Sequence, residues 1–265
     1  MAIYTFTDTQ MKSVADAIRA KTGGTSDLTI EQMPTEIASI VSGERTEREV
    51  WIHGHRENMS NLLVDTGIPG DMDHTLEVTG YGNIYDSSTL FGSVTAGSSR
   101  QVVDLLTSSM KVRFAWGNSG LMAYEYPVTT FSPWHPATFR FNKTGFTING
   151  FASNRDPVTI SMAWTDPKED GTSYTGPTGG ASTANYKVFP GILNGSNPGV
   201  PGVFRSAKIF DSTDTLIHHF VPILYNDWTL VLRDKITNIE IPLTYGPDGF
   251  EAYWAPRTDN LVNLT

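Results

Sequence analysis

The chain has no cysteine. Disulfides, thiolate metal centres and a cysteine nucleophile are therefore excluded. Charge is scarce as well: Asp, Glu, Lys and Arg make up 18% of 265 residues. The surface must then be built largely from Ser, Thr, Asn and Gly, which suits β-structure. Disorder would need high charge and few aromatics, whereas 11% of this chain is aromatic. A basic stripe is missing too: 19 Lys and Arg face 28 Asp and Glu, a net charge of -9. A nucleic-acid binder would carry such a stripe, and the densest clusters here, Lys111-Val112-Arg113 and Arg45 with Arg48, are too sparse to follow a phosphate backbone. No run approaches the roughly 18 apolar residues of a membrane span. The N-terminal M-A-I-Y-T-F-T-D has neither the basic region nor the apolar core of a signal peptide. Neither nucleic-acid binding nor membrane insertion is expected.

Catalytic patterns are also missing. There is no phosphate-binding G-x-x-x-x-G-K-[ST], no dinucleotide G-x-G-x-x-G after a strand, no H-E-x-x-H and no G-x-S-x-G elbow. Gly117-Asn118-Ser119-Gly120 reads as a turn, since nothing supplies the rest of a triad. His53 and His55 share one face of a strand, but no third metal ligand accompanies them. His218 and His219, being adjacent on a strand, point to opposite faces and cannot chelate one ion. Asp211 and Asp214 lie in a hairpin turn, where Asp is favoured for backbone reasons; the alternative is a Ca²⁺ ion held with loop carbonyls. Glycoside hydrolysis needs two carboxylates roughly 5 to 9 Å apart, yet Glu125, Glu169, Asp170 and Glu240 are scattered with no shared register. The expectation is no catalytic residue, no metal and no cofactor.

What is present is a short helical leader followed by strands. Residues 8 to 42 are the one helical stretch. Asp8 is placed as N-cap, and Met11, Val14, Ala15 and Ile18 share a helix face. Gly23-Gly24 ends this helix, and Thr29 with Gln32 forms a capping-box pattern opening a second. Ile30, Met33, Ile37 and Ile40 continue the apolar stripe. Two short helices cannot bury much alone. The stripe (Met11, Val14, Ile18, Ile30, Met33, Ile37, Ile40) is therefore a candidate docking or oligomerisation surface, unless it packs on its own domain. Residues 1–43 are expected to form this leader, and residues 44–265 a β-domain large enough to bury about three quarters of its unfolded surface.

Strand patterns recur from Val50 onward. Lys111 to Trp116 and Val158 to Trp164 alternate. Thr138–Asn142 and Phe146–Gly150 flank Lys143-Thr144-Gly145 as a hairpin, and Lys208–Asp211 with Leu216–Val221 flank another. Leu230–Leu232 and Ile239–Ile241 form a last pair. Many short strands with frequent turns predict an antiparallel sandwich or jelly roll. Two long polar loops, Asp166 to Ala184 and Asn194 to Gly202, have the length of functional loops. Trp116, Tyr124, Tyr126, Phe131, Trp134 and His135 crowd together among prolines, which place Tyr126-Pro127 and Pro133 to Pro136 in loops or edges. Flat aromatic faces beside Asn and Asp suit sugar binding; the opposing reading fills a core or an interface with them. Tyr174, Tyr225 and Trp228 are further candidates on other loops.

Two phrases carry a resemblance. V-A-D-A-I-R-A-K-T-G-G-T-S-D-L-T-I-E-Q-M-P (Val14 to Pro34) resembles the short helical leader of many bacteriophage structural proteins. R-S-A-K-I-F-D-S-T-D-T-L-I-H-H-F-V-P (Arg205 to Pro222) resembles a strand pair of the concanavalin A-like, laminin-G-like modules of phage tail and baseplate proteins. Leu63–Ile68, Leu90–Ser93 and Ile148-Asn149-Gly150 look like other strands of that family. Leu230 to Lys235 departs from its usual final strands. The resemblance implies a laminin-G-like jelly roll and a non-enzymatic virion protein that attaches to host-surface carbohydrate as part of a tail fibre, baseplate or tail tip. It further implies a homotrimer assembled in the host cytoplasm, whose leader grips other virion proteins. The alternatives are a purely structural capsid decoration or head fibre and, behind it, a polysaccharide hydrolase.

Overall fold

A computed structural model describes residues 8–22, 29, 32–33, 46–54, 63–82, 88–94, 100–106, 110–117, 120–125, 129–164, 184–189 and 202–254. The chain divides into two compact units, Met1–Glu47 and Arg48–Thr265.

In the first unit, α1 (Asp8–Thr22) runs from the expected start, with Asp8 as its first helical residue rather than its cap. Ala15 and Ile18 bury themselves with Met33, and Met11 packs against them. The i, i+4 pair Lys12–Asp16 lies on the exposed side at 3.2 Å. Thr29 N donates to Gln32 Oε1 at 2.9 Å, one half of the capping box. The rest of the second helix lies outside the described residues. Of the docking candidates, Ile18 and Met33 are buried within this cluster and Met11 is half-buried. Ile18 and Met33 pack on each other and on Ala15 within the unit. Val14 is 43% exposed. Ile30, Ile37 and Ile40 lie outside the described residues.

The second unit is β-structure. Its strands, with β1 at the division, are β1 (Glu47–Glu49), β2 (Trp51–Gly54), β3 (Val64–Pro69), β4 (Thr75–Tyr81), β5 (Ser88–Val94), β6 (Arg100–Leu106), β7 (Lys111–Gly117), β8 (Gly120–Glu125), β9 (Ala137–Phe141), β10 (Gly145–Phe151), β11 (Pro157–Ala163), β12 (Asn185–Val188), β13 (Val203–Phe210), β14 (Leu216–Tyr225), β15 (Leu230–Asp234), β16 (Glu240–Leu243) and β17 (Phe250–Tyr253). They form two antiparallel sheets. The larger runs β11-β10-β9-β4-β13-β14-β15-β16, with β1 on β14 and β2 joining β13 to β17; the smaller runs β3-β12-β5-β6-β7-β8. The expected hairpins are present as β9–β10, β13–β14 and β15–β16.

Aromatic rings clamp the sheets together. Phe91 of the small sheet meets Phe204 and Phe220 of the large one at 6.4 and 6.3 Å between centroids. Phe114 stacks on Phe146 at 4.4 Å and touches Phe139 and Phe141. Trp116 stands edge-on to Phe141 at 5.7 Å. The chain is therefore a two-sheet antiparallel sandwich of the jelly-roll kind, with one short N-terminal helix. The opposite face of the small sheet is closed by a polar knot. Arg113 donates to Asp104 through Nε and Nη2 at 3.1 and 2.6 Å, and Thr89 Oγ1 donates to the same carboxylate at 2.7 Å. This pairing lets an arginine and a carboxylate lie buried together.

Candidate binding surface

The aromatic candidates separate by burial. Trp116 is 0% exposed and its Nε1 donates to Met72 O at 3.3 Å. Period 2 carries it, with Val112 and Phe114, onto the inner face of β7, so it is core and offers no ring to a ligand. His135 is likewise no open surface, since it is 4% exposed and stands edge-on to Phe151. Trp134 is half-buried. Tyr124 lies on β8 opposite Val112, with its side chain outside the described part. Tyr126 and Tyr174 fall outside the described residues.

Trp228 is different: 65% of it is exposed. It sits in the β14–β15 turn, where Tyr225 N donates to Thr229 O at 2.9 Å and Trp228 N to Tyr225 O at 3.0 Å. Asp227 Oδ1 accepts from Thr229 N at 2.9 Å. Such a hairpin loop ends on a residue in the left-handed region, usually Gly or Asn. Trp228 adopts it with φ 65°. The β13–β14 and β10–β11 turns have the same closure and place Asp214 (φ 64°) and Arg155 (φ 69°) there. A large L-residue in this conformation carries a backbone cost on the order of 1 kcal/mol that Gly or Asn would avoid. Tyr245, 40% exposed, packs its ring 5.8 Å from that of Trp228 at 43°. The two rings form an open aromatic platform. Tyr245 is missed by the sequence reading, because a lone Tyr before Gly246-Pro247 gives no sign of its neighbour.

The outer face of the large sheet is polar and in register from β11 to the start of β14; farther along β14 and on β15 it is apolar, where Val221, Ile223, Tyr225 and Val231 are buried together, so the candidate Tyr225 offers no open ring. One row crosses six strands as Ser161, Thr147, Arg140, Glu77, Lys208 and His219, a span of about 24 Å at the usual strand spacing. A parallel row is Thr159, Asn149, Thr138, Thr79 and Ser206. Neighbours within the rows hydrogen-bond: Thr79 with Thr138 at 3.0 Å, Thr159 with Asn149 at 2.9 Å and Thr147 with Ser161 at 3.2 Å. Glu77 accepts from Arg140 and Lys208 at 3.3 and 2.7 Å. His219 is held below its ordinary pKa by burial first and then by Lys208 and Lys235. A groove of about 300 Å³, lined by Arg140, Asn142, Thr147, Ser161 and Met162 among others, opens beside the first row. The Thr, Ser and Asn side chains at alternate positions were the sequence signal for this face.

The other polar features are structural. Asp211 accepts from Thr213 N, Thr213 Oγ1 and Thr215 N at 2.8, 2.7 and 3.0 Å, and these bonds hold its carboxyl low. Asp214 pairs with Arg140. Both carboxylates have partners within the protein, and no cluster of three metal-ligating side chains occurs among the described residues. Asp234, 2% exposed, accepts from His218 Nδ1 (2.7 Å), His219 N (2.9 Å), Ile236 N (3.1 Å) and Thr237 Oγ1 (2.7 Å). Burial works against its charge, but these bonds outweigh it and keep the carboxyl below its usual range. His218 stacks on Phe220 at 5.8 Å, on the inner side of β14. Glu240 is bound by Arg233 and the Tyr225 hydroxyl. His55, Glu169 and Asp170 lie outside the described residues. No helix among the described residues is long and apolar enough to cross a membrane.

Sandwich and surface together define an antiparallel jelly-roll domain that offers an aromatic platform and a hydroxyl-lined sheet face. No family model matches the chain, and no curated protein matches it. Among solved structures, it resembles a heptameric SAP-like pentraxin from Limulus polyphemus, with TM-score 0.39 and 10% identity over 64% of this chain and 78% of that one. It also resembles the enzymatically active domain of tailspike protein 2 of bacteriophage CBA120, with TM-score 0.36 and 11% identity over 64% of this chain and 30% of that one. At these scores and identities neither likeness bears on what the chain does.

Proposed function

We propose that this chain is a structural protein of a phage virion that attaches to host-surface carbohydrate without catalysing its cleavage. The observation that carries the binding half is the Trp228–Tyr245 platform. An indole exposed on a backbone that disfavours it, with a second ring beside it, suits stacking on the apolar face of a sugar. The first polar row crosses β14 at His219, roughly 20 Å along the strand from this platform at the usual rise per residue, and the rows would offer a separate set of hydroxyl contacts. The phage half, with the laminin-G-like assignment of the sandwich, rests on the resemblance of the Val14–Pro34 and Arg205–Pro222 phrases. In this reading the leader docks on other virion proteins and the protein is a homotrimer. Several weak sites then act through avidity.

The test uses the labelled full-length protein on candidate host cells before and after periodate oxidation of their glycans. Binding is expected to be periodate-sensitive. Trp228→Ala is expected to weaken each site by about 2 kcal/mol, roughly thirtyfold. Absence of binding to any plausible host would overturn the attachment role in favour of a capsid or scaffold part. Release of reducing sugar would overturn the non-catalytic reading.

A further inference from the structure

Among the described residues, three buried side-chain polar atoms have no hydrogen-bond partner: Ser132 Oγ, Trp134 Nε1 and His135 Nδ1. All three belong to the single segment Ser132-Pro133-Trp134-His135-Pro136, which leads into β9. Buried polar groups are almost always paired, because one left alone loses its hydration and gains nothing in return. Three such atoms fall within four consecutive residues, each lacking the partner that a buried polar group normally has.

The backbone of the segment is held in place. Pro133 and Pro136 fix their own φ and restrict Ser132 and His135 before them. The backbone is tied on both sides: Ser132 N donates to Phe151 O at 2.7 Å, Gly82 N to Pro133 O at 2.8 Å and His135 N to Ser132 O at 3.3 Å. Phe131, fully buried, anchors the entry edge-on to Phe139 at 6.0 Å. It lies so close to Gly150 that a Cβ there would come within 2.9 Å of its ring. His135 stands edge-on to Phe151. In the neutral ring with its proton on Nε2, Nδ1 presents a lone pair.

The chemistry of the occupant follows from the inventory. The indole N–H only donates, the imidazole Nδ1 accepts, and the serine hydroxyl does both. A cation has no place beside the N–H, and an anion none beside the lone pair; a group that both donates and accepts suits the set. We propose that this segment is a hydroxyl site, filled by ordered water in the free protein, and that a sugar hydroxyl takes a water's place when glycan binds. Trp134, the half-buried member, is the side chain that moves to admit it. The displacement rests on the carbohydrate reading above; the hydration does not.

The test is nuclear magnetic resonance of the full-length protein. Trp134→Phe, which keeps a ring but removes the N–H, assigns the Trp134 indole proton. Cross-relaxation between a long-lived water and that proton is expected in the free protein. It is expected to vanish, with a shift of the indole signal, on titration with one of glucose, galactose, N-acetylglucosamine or rhamnose. If Trp228 responds to a sugar while the water at Trp134 persists unchanged, the displacement is wrong and the platform reading survives. If neither indole responds to any of these sugars, the displacement fails together with the carbohydrate reading for them. Absence of the water signal in the free protein overturns the hydroxyl site outright. Ser132→Ala is a second readout: it lowers the melting temperature if the serine holds a water, and raises it if the pocket is dry.

Discussion

Replacing Trp228 by Asn separates packing from binding. Trp228 is 65% exposed, so only about a third of the roughly 250 Å² a tryptophan can bury is shielded, on the order of 80 Å². At 25 cal/mol per Å² that shielding stabilises by about 2 kcal/mol. The figure is an upper bound, since the unfolded chain already hides part of the surface. Against it stands the left-handed backbone at φ 65°, which costs a large residue about 1 kcal/mol and which Asn tolerates far better. The difference leaves a net loss of about 1 kcal/mol or less, a fall of roughly 2–4 °C in melting temperature for a domain of this size. Glycan binding should fall by at least tenfold in the same variant, because the stacking face is gone. Differential scanning calorimetry and a binding titration on one preparation would check both. A drop of more than 10 °C with binding intact would refute the reasoning and make the Trp228–Tyr245 pair a packing element.

Other consequences follow from the core and its polar knots. Arg113→Met leaves the Asp104 carboxylate buried with Thr89 as its remaining partner; it should cost about 3–5 kcal/mol in denaturant titration, and adding Asp104→Asn should recover part of the loss. Gly92→Ala would place a Cβ 2.2 Å from Gln101 O and 2.7 Å from Val102 Cα, so β5 and β6 must separate; little soluble protein is expected, and a melting temperature within a few degrees of the parent would contradict the register. Phe114→Ala, in the middle of Phe139, Phe141 and Phe146, should destabilise by about 3–5 kcal/mol in the same titration. The Asp234 carboxyl is depressed by its hydrogen bonds, so the unfolded chain takes up its proton first as pH falls. Its contribution is complete above the ordinary aspartate pKa, and declines as pH drops through that value toward the lower folded one. Asp234→Asn should flatten the acid limb of the stability–pH curve, and an unchanged limb would show that other carboxylates govern it.

The fold was legible where a single strand face decides burial. Phe139 and Phe141 alternate with Thr138 and Arg140, and Ile148 with Thr147 and Asn149, so the β9–β10 hairpin could be read directly. His218 and His219 point to opposite faces because they are neighbours, and Asp211 shapes its turn for the reason anticipated. Legibility failed where a residue's surroundings come from distant segments. Trp116 stands near prolines and loop aromatics in the chain, yet its place on β7 turns it inward against Phe141. Arg113 looks like a solvent-facing polar position, but is 8% exposed because Asp104, nine residues earlier, neutralises it. In the helical unit, the stripe with Met11, Val14 and Ile18 was readable, while the burial of Ile18 depends on Met33 returning to meet it.

Residue order alone determined the absence of thiol chemistry, the strand periodicity, the turn positions and the mainly β character, because these depend on composition or on neighbours within a few residues. Only the tertiary structure decided which aromatics are surface. It put Trp116 in the core, left Trp228 exposed and brought Tyr245 beside it, and aligned hydroxyl and charged side chains from six strands into one row. It also left Ser132 Oγ, Trp134 Nε1 and His135 Nδ1 buried without hydrogen-bond partners. Each of these is a property of pairing between segments far apart in sequence, where register and packing set a side chain's surroundings.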